Sequence, residues 1–149
     1  MRVLLLLLVA ASGCTALRPG APASGMATPG ETLAWGSSFG MCVGYCDARL
    51  VVAGGTATLT ETGTRQPDLA PRVRSRALTA AEAAALAAAR RASTVATDTL
   101  GCPDCADGGA ETIEAGGQRL VLEYGSDAGA AAPLARALRA IRETFPRDE

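Results

Sequence analysis

The 149-residue chain carries 14 arginines against 15 Asp and Glu, with no lysine and no histidine, for a formal net charge of −1. That balance leaves no basic footprint for nucleic acid. The missing histidine rules out a His general base and His-ligated zinc. Although 48% of residues are apolar by type, 32 are alanine. Large side chains are therefore sparse, and a small core helped by covalent links is expected.

Met1-Arg2 is a minimal positive start, followed by an apolar run from Val3 to Ala11 that is too short to span a bilayer as a helix. Charge, apolar run and small-residue end together read as an export signal. Ala11-Ser12-Gly13-Cys14 resembles the lipobox of bacterial lipoproteins, with Ala11 where leucine is usual. The resemblance implies cleavage after residue 13, lipidation (palmitate included) of Cys14, and a mature chain starting there. Thr15 after the cysteine, rather than Asp, implies the outer membrane facing the periplasm. The simpler alternative is an ordinary signal peptide that leaves Cys14 free. The sequence thus divides into a signal peptide (1–13), a Pro-, Gly- and Ala-rich flexible tether (14–31) and a single domain (32–149).

Order is expected from about Leu33-Ala-Trp35, with Trp35 and Phe39 as first core anchors. Ala48 to Ala53 and Thr56 to Thr62 flank Gly54-Gly55 and read as a hairpin with a two-residue turn. Folding there sets Val52 opposite Ala57 and Leu50 opposite Leu59 on one apolar face. Arg72 to Ala77 alternates strictly, with Arg72, Arg74 and Arg76 on one face. This reads as a third strand at an edge, where charge discourages edge pairing. A solvated face is the simpler account of these arginines. Contact with anionic lipid headgroups or cell-wall phosphates is the functional one.

Thr79-Ala-Ala-Glu82 is a capping box and starts an alanine-rich helix to about Ala92. Glu111 to Ala115 and Gln118 to Tyr124 flank Gly116-Gly117 as a second hairpin. It pairs Ile113 with Leu120 and Glu114 with Arg119, and Leu122 and Tyr124 continue the apolar face. A final helix from about Ala130 to Phe145 carries Leu134, Leu138, Ile141 and Phe145 as one stripe, with Arg136, Arg139 and an exposed Arg142 fanning out beside it. The two hairpins make an architectural repeat at an offset of 62 residues. Their inward faces are out of phase by one residue, so no gene duplication follows.

Cys42, Cys46, Cys102 and Cys105 occupy two loops, each ahead of a hairpin. In an exported chain they are expected as disulfides, with three pairings open. Cys102 and Cys105 need only a turn, which Pro103-Asp104 can supply. Cys42 and Cys46 meet only if their stretch is not extended, because five strand residues span about 13 Å. Zinc held by all four thiolates is an alternative, on the zinc-knuckle look of Cys102-Pro-Asp-Cys105. A redox Cys-x-x-Cys is another. Against it, Asp104 and Asp107 disfavour a thiolate, and Cys105 is followed by Ala-Asp-Gly-Gly and an expected strand rather than a helix. Asp98, Asp104, Asp107, Glu111 and Glu114 form an acidic segment that could take calcium, although a solvated turn is the simpler account.

Phe39-Gly-Met-Cys-Val-Gly-Tyr-Cys46, taken with Cys102-Pro-Asp-Cys-Ala-Asp-Gly-Gly-Ala-Glu111, resembles an uncharacterised family of bacterial secreted and lipoprotein domains. The likeness covers about Trp35 to Phe145. It implies the domain limits and the cysteine framework, and no chemistry.

The expected fold is α+β: a mostly antiparallel sheet of about five strands in the order βββαββα, with two helices on one face. The expected role is a lipid-anchored cell-envelope domain, non-enzymatic, that binds or supports other components. No cofactor is expected. Its partners would be the membrane, through Cys14, and an envelope protein or anionic envelope component. The alternative is thiol-disulfide or zinc-binding activity at the paired cysteine loops.

Overall fold

The computed structural model describes residues 30–63, 66 and 68–146. The signal segment, Cys14 and most of the tether lie outside the described residues. The fold is α+β, with two helices and a mostly antiparallel sheet. The sheet has seven strands rather than about five. They are β1 (Leu33–Ser38), β2 (Asp47–Ala53), β3 (Thr56–Thr62), β4 (Arg72–Ala77), β5 (Asp98–Leu100), β6 (Ala110–Ala115) and β7 (Gln118–Glu123), in the order β4-β3-β2-β1-β6-β7-β5. The helices are α1 (Ala80–Arg91) and α2 (Ala132–Glu143). Among the described residues, no helix is long and apolar enough to cross a membrane.

The two additional strands lack the usual sequence pattern. β1 is the central strand, paired antiparallel to β2 on one side and β6 on the other. It is covered on both faces, with Leu33 and Trp35 in the core and Ala34 buried on the far side. A strand buried on both faces shows no polar alternation. β5 has three residues and runs parallel to β7. Its Asp98-Thr99 start gives no apolar signal.

Both Gly-Gly hairpins form in the expected register: Leu50 pairs with Leu59, Val52 with Ala57, Ile113 with Leu120 and Glu114 with Arg119. Gly54, Gly55, Gly116 and Gly117 all have φ between 56° and 78°. Two successive positive φ values match the right-handed strand twist and favour glycine. The hairpins flank β1 on either side, so the architectural repeat becomes a near-symmetric sheet around one central strand.

One core joins the inward sheet residues Leu33, Trp35, Leu50, Leu59, Ile113 and Leu122 to Leu86 of α1 and Leu134, Leu138, Ile141 and Phe145 at α2. Phe39 is only half-buried and stands outside this cluster. Tyr124 is 47% exposed, because it lies one residue past β7.

The alternating arginines of β4 sit at a sheet edge, as their charge required, but do not face open solvent. Their register with β3 sets Arg76 beside Ala57, Arg74 beside Leu59 and Arg72 beside Glu61, on the helix-covered side. Val73 and Ala77 take the outer face instead. Arg76 donates two hydrogen bonds to the Glu82 carboxylate, at 2.6 and 2.9 Å. Glu82 also closes the capping box with Thr79.

The Arg76 guanidinium, and then the Thr79 amide, hold Glu82 down from 4.5 to about 2. A depressed folded value means stabilisation that is complete above pH 4.5 and lost as pH falls toward 2. Thermal melts across that window should show Glu82→Gln losing less stability on acidification than the unsubstituted chain. Parallel losses would mean that Glu82 is not the titrating group.

Candidate functional site at the disulfide end of the sheet

Antiparallel pairing brings the end of β1, the start of β2 and the start of β6 to the same end of the sheet, since Ser37 pairs with Ala48 and Ser38 with Ala110. The loop after β1 (residues 39–46) and the loop before β6 (residues 101–109) therefore emerge side by side. Gly109 is the contact point. A Cβ there would lie 2.6 Å from the Phe39 ring and 2.8 Å from the Ser38 carbonyl, and its φ is +81°. Phe39 in turn meets Tyr124 edge-on, with ring centroids 4.6 Å apart. The Tyr45 hydroxyl donates to the Ala70 carbonyl at 3.0 Å, and the Arg72 guanidinium lies 4.2 Å over the Tyr45 ring.

Each loop closes its own disulfide: Cys42 with Cys46, Cα atoms 5.6 Å apart, and Cys102 with Cys105, Cα atoms 5.4 Å apart. The first bond is possible because the stretch is turned rather than extended, with Gly44 at φ +96°. Cys46 is buried, whereas Cys102 and Cys105 are exposed. The second loop places Asp104, Ala106 and Asp107 in left-handed conformations. Aspartate tolerates that region better than a residue such as alanine.

Small closed loops constrain an unfolded chain weakly. Each bond is worth about 2 kcal/mol in the loop-entropy treatment, against about 4 kcal/mol for a bond between the two loops. Thiol titration of an unfolded, unreduced Cys14→Ala chain should find no free thiol, and reduction should lower the melting temperature by a modest amount. Four titratable thiols would overturn the pairing.

With the cysteines paired within loops, the four sulfurs are not brought together as a ligand set. Among the described residues, no group of three or more His, Cys, Asp or Glu side chains is placed to hold a metal ion. The acidic segment is also dispersed. Glu111 and Glu114 are an odd number of positions apart on one strand and so take opposite faces. Glu114 lies on the outer face and accepts from Arg49 at 2.6 and 3.1 Å, reaching across β1 above Ala34 and Gly36. A Cβ at Gly36 would lie 2.6 Å from the Thr112 Oγ1.

Glu111 is the buried polar residue that sequence reasoning left among the solvated acids. It directly follows the second loop, points to the helix side and is 0% exposed. The Trp35 indole Nε1–H donates to its Oε1. Arg139 of α2 donates from Nε to Oε1 at 2.5 Å and from the guanidinium to Oε2. Arg139 is held above the usual guanidinium range, first by this hydrogen bond. Buried acids of this kind are paired because an isolated charge is costly in the interior. The only sequence signal was the combination of one tryptophan, one inward-phase acid and an arginine beside a helix stripe.

On the solvent side, the first loop presents Met41 (68% exposed) and Val43 (89% exposed). The disulfide end is therefore a pair of disulfide-closed loops with an apolar tip, next to a buried ion pair. The chain matches no family model, no curated protein sequence and no solved structure.

Proposed function

We propose that this chain is a lipid-tethered cell-envelope module that binds another envelope component through the disulfide end of its sheet, without catalysing a reaction. In this reading residues 1–13 are removed, Cys14 carries the lipid, and the domain sits at the outer membrane facing the periplasm. The observation that carries the reading is the exposed apolar tip, Met41 and Val43, on a loop closed by its own disulfide. Exposed apolar side chains on a constrained loop are a common form of recognition surface, because little ordering entropy is lost on binding. β1 enters the sheet at the opposite end, at Leu33, so a tether arriving there leaves the disulfide end pointing away from its anchor.

The anchor and the binding surface are tested separately. Cys14→Ala should release the chain from membranes or block its processing; unchanged fractionation and mass would remove the lipoprotein reading. A photo-reactive residue at position 43 should give a discrete adduct in the producing cell. The same residue at position 55, on the hairpin turn at the other end, should not. Equal adducts, or none at either position, would remove the binding surface.

A second reading, thiol-disulfide exchange, is favoured by the exposure of both Cys102 and Cys105. Catalytic reduction of insulin disulfides by the purified chain would promote it.

A further inference from the structure

We propose that the Cys102–Cys105 disulfide is a reversible modification site, opened by a dithiol reductant while Cys42–Cys46 stays closed, and that its opening unseats Phe39 at the root of the apolar tip. Here the chain is the substrate of thiol-disulfide exchange, not its catalyst. Only the effect on binding rests on the proposed role of the tip.

The two disulfides differ in access and in backbone. Cys46 is buried and Cys42 half-buried, whereas Cys102 and Cys105 are both exposed. Exchange needs a thiolate to reach one of the two sulfurs. The first loop places a glycine, Gly44, at its left-handed position. The second places Asp104, Ala106 and Asp107 there, the only non-glycine residues with positive φ among the described residues. Side chains make that region costly, alanine more than aspartate. The closed second loop therefore holds backbone energy that opening releases, and the first loop does not.

The simpler account is that both bonds are structural staples. It suits Cys42–Cys46. It does not suit the second loop, because among residues 101–108 only Pro103 is even half-buried, so the bond holds no core together. What the loop does hold is its neighbour. The Gly109 carbonyl accepts from the Asp104 amide, inside the ring, and from the Tyr124 amide, each at 3.2 Å. The Phe39 ring lies against Gly109 and meets Tyr124 edge-on. Asp107 Oδ1 lies 3.6 Å from where a Gly40 Cβ would stand. Releasing Asp104 and Asp107 thus loosens residues 39 and 40, next to Met41 and Val43.

The step is a two-electron exchange. A thiolate of the dithiol attacks one cysteine sulfur, forming a mixed disulfide, and the other cysteine leaves as a thiolate and takes a proton. The second thiol of the reductant then attacks its own sulfur in the mixed disulfide, closes a cyclic disulfide and frees the remaining cysteine. The chain gains two electrons and two protons, and the dithiol loses them. Asp104 and Asp107 oppose the leaving thiolate, which suits a dithiol that resolves the mixed disulfide over a monothiol.

The test uses the full Cys14→Ala chain in neutral detergent, equilibrated across ratios of reduced to oxidised dithiothreitol, then acid-quenched, alkylated and mapped by mass. Cys102 and Cys105 should become alkylated together at a ratio about tenfold lower than Cys42 and Cys46. Ala106→Gly should raise the ratio needed to open Cys102–Cys105 about threefold, because glycine takes the same conformation without that cost. In the two-thiol species the Tyr124 amide should exchange about fivefold faster, as its Gly109 acceptor loosens. Opening of Cys42–Cys46 first or at the same ratio, an unshifted Ala106→Gly midpoint, or unchanged Tyr124 exchange overturns the proposal.

Cys102→Ser with Cys105→Ser, held open, should give a weaker photo-adduct at position 43 than the parent chain. An equal adduct overturns the link to the tip. No adduct from the parent removes the binding reading instead, and the order of reduction still decides this proposal.

Discussion

Replacing Glu111 with alanine should destabilise the domain by about 3 kcal/mol or more, the range seen when one partner of a buried ion pair is removed. The carboxylate is 0% exposed and accepts from both Trp35 and Arg139. Its loss strands the indole N–H inside the core and leaves the 34%-exposed Arg139 without its acid. The partial exposure of Arg139 keeps the expected cost at the low end of the range, because that guanidinium can turn toward water. A melting temperature lower by on the order of 10 °C is the direct readout.

The double substitution Glu111→Ala with Arg139→Ala should cost less than the sum of the two singles, since the second change removes the charge that the first stranded. Additive costs would show that the pair is not coupled. The second disulfide loop should also loosen in Glu111→Ala, because Ala110-Glu111 is where that loop joins the sheet. Faster exchange of the Tyr124 amide, which bonds the Gly109 carbonyl at 3.2 Å, would register it.

Leu138→Ala should cost about 2–5 kcal/mol. Leu138 is 0% exposed in the middle of the α2 stripe, between Leu134 and Ile141. The sheet below it is fixed by its hydrogen-bond ladders, and the core cluster it belongs to includes five alanines, Ala57, Ala115, Ala128, Ala131 and Ala135. Little can therefore move in to fill the space. Arg142→Ala, one turn further on, is the contrast. It should change stability by less than about 1 kcal/mol, because Arg142 contributes only a 3.6 Å ion pair at a rim crowded with like charge. Although Arg142 is half-buried rather than exposed as its position beside the stripe implied, its expected cost stays small for this electrostatic reason. Equal melting temperatures for the two variants would mean that the packed face of α2 is misassigned.

Features encoded by neighbours in sequence were legible. Glycine pairs with positive φ specified both hairpins and, through strand alternation, their registers down to Leu50 with Leu59 and Ile113 with Leu120. Thr79 and Glu82 marked the start of α1 because a capping box is three residues long. The spacing of Leu134, Leu138 and Ile141 marked the buried face of α2 because a helix repeats every 3.6 residues. The charge alternation of β4 placed it at a sheet edge, since a central strand cannot carry it.

Features that depend on residues distant in sequence were decided only by the tertiary structure. β1 shows no polar alternation because both of its faces are buried, and nothing within Leu33–Ser38 announces its two neighbours, β2 and β6. The direction of the β4 arginines was set by register with β3, which turned them toward α1 and α2 instead of solvent. Glu111 belonged by composition with the other acids around the second cysteine loop. Its phase on β6 and the position of Arg139, 28 residues later, made it a buried anchor. The cysteine pairing followed the same division. Composition and compartment argued for disulfides, but only the turns that bring the Cα atoms of Cys42 and Cys46 to 5.6 Å and those of Cys102 and Cys105 to 5.4 Å decided that each loop closes on itself. Local order rests on dihedral preference and periodicity, which a short stretch carries by itself. Burial and charge pairing depend on which strands become neighbours, and that is settled only when the whole sheet has formed.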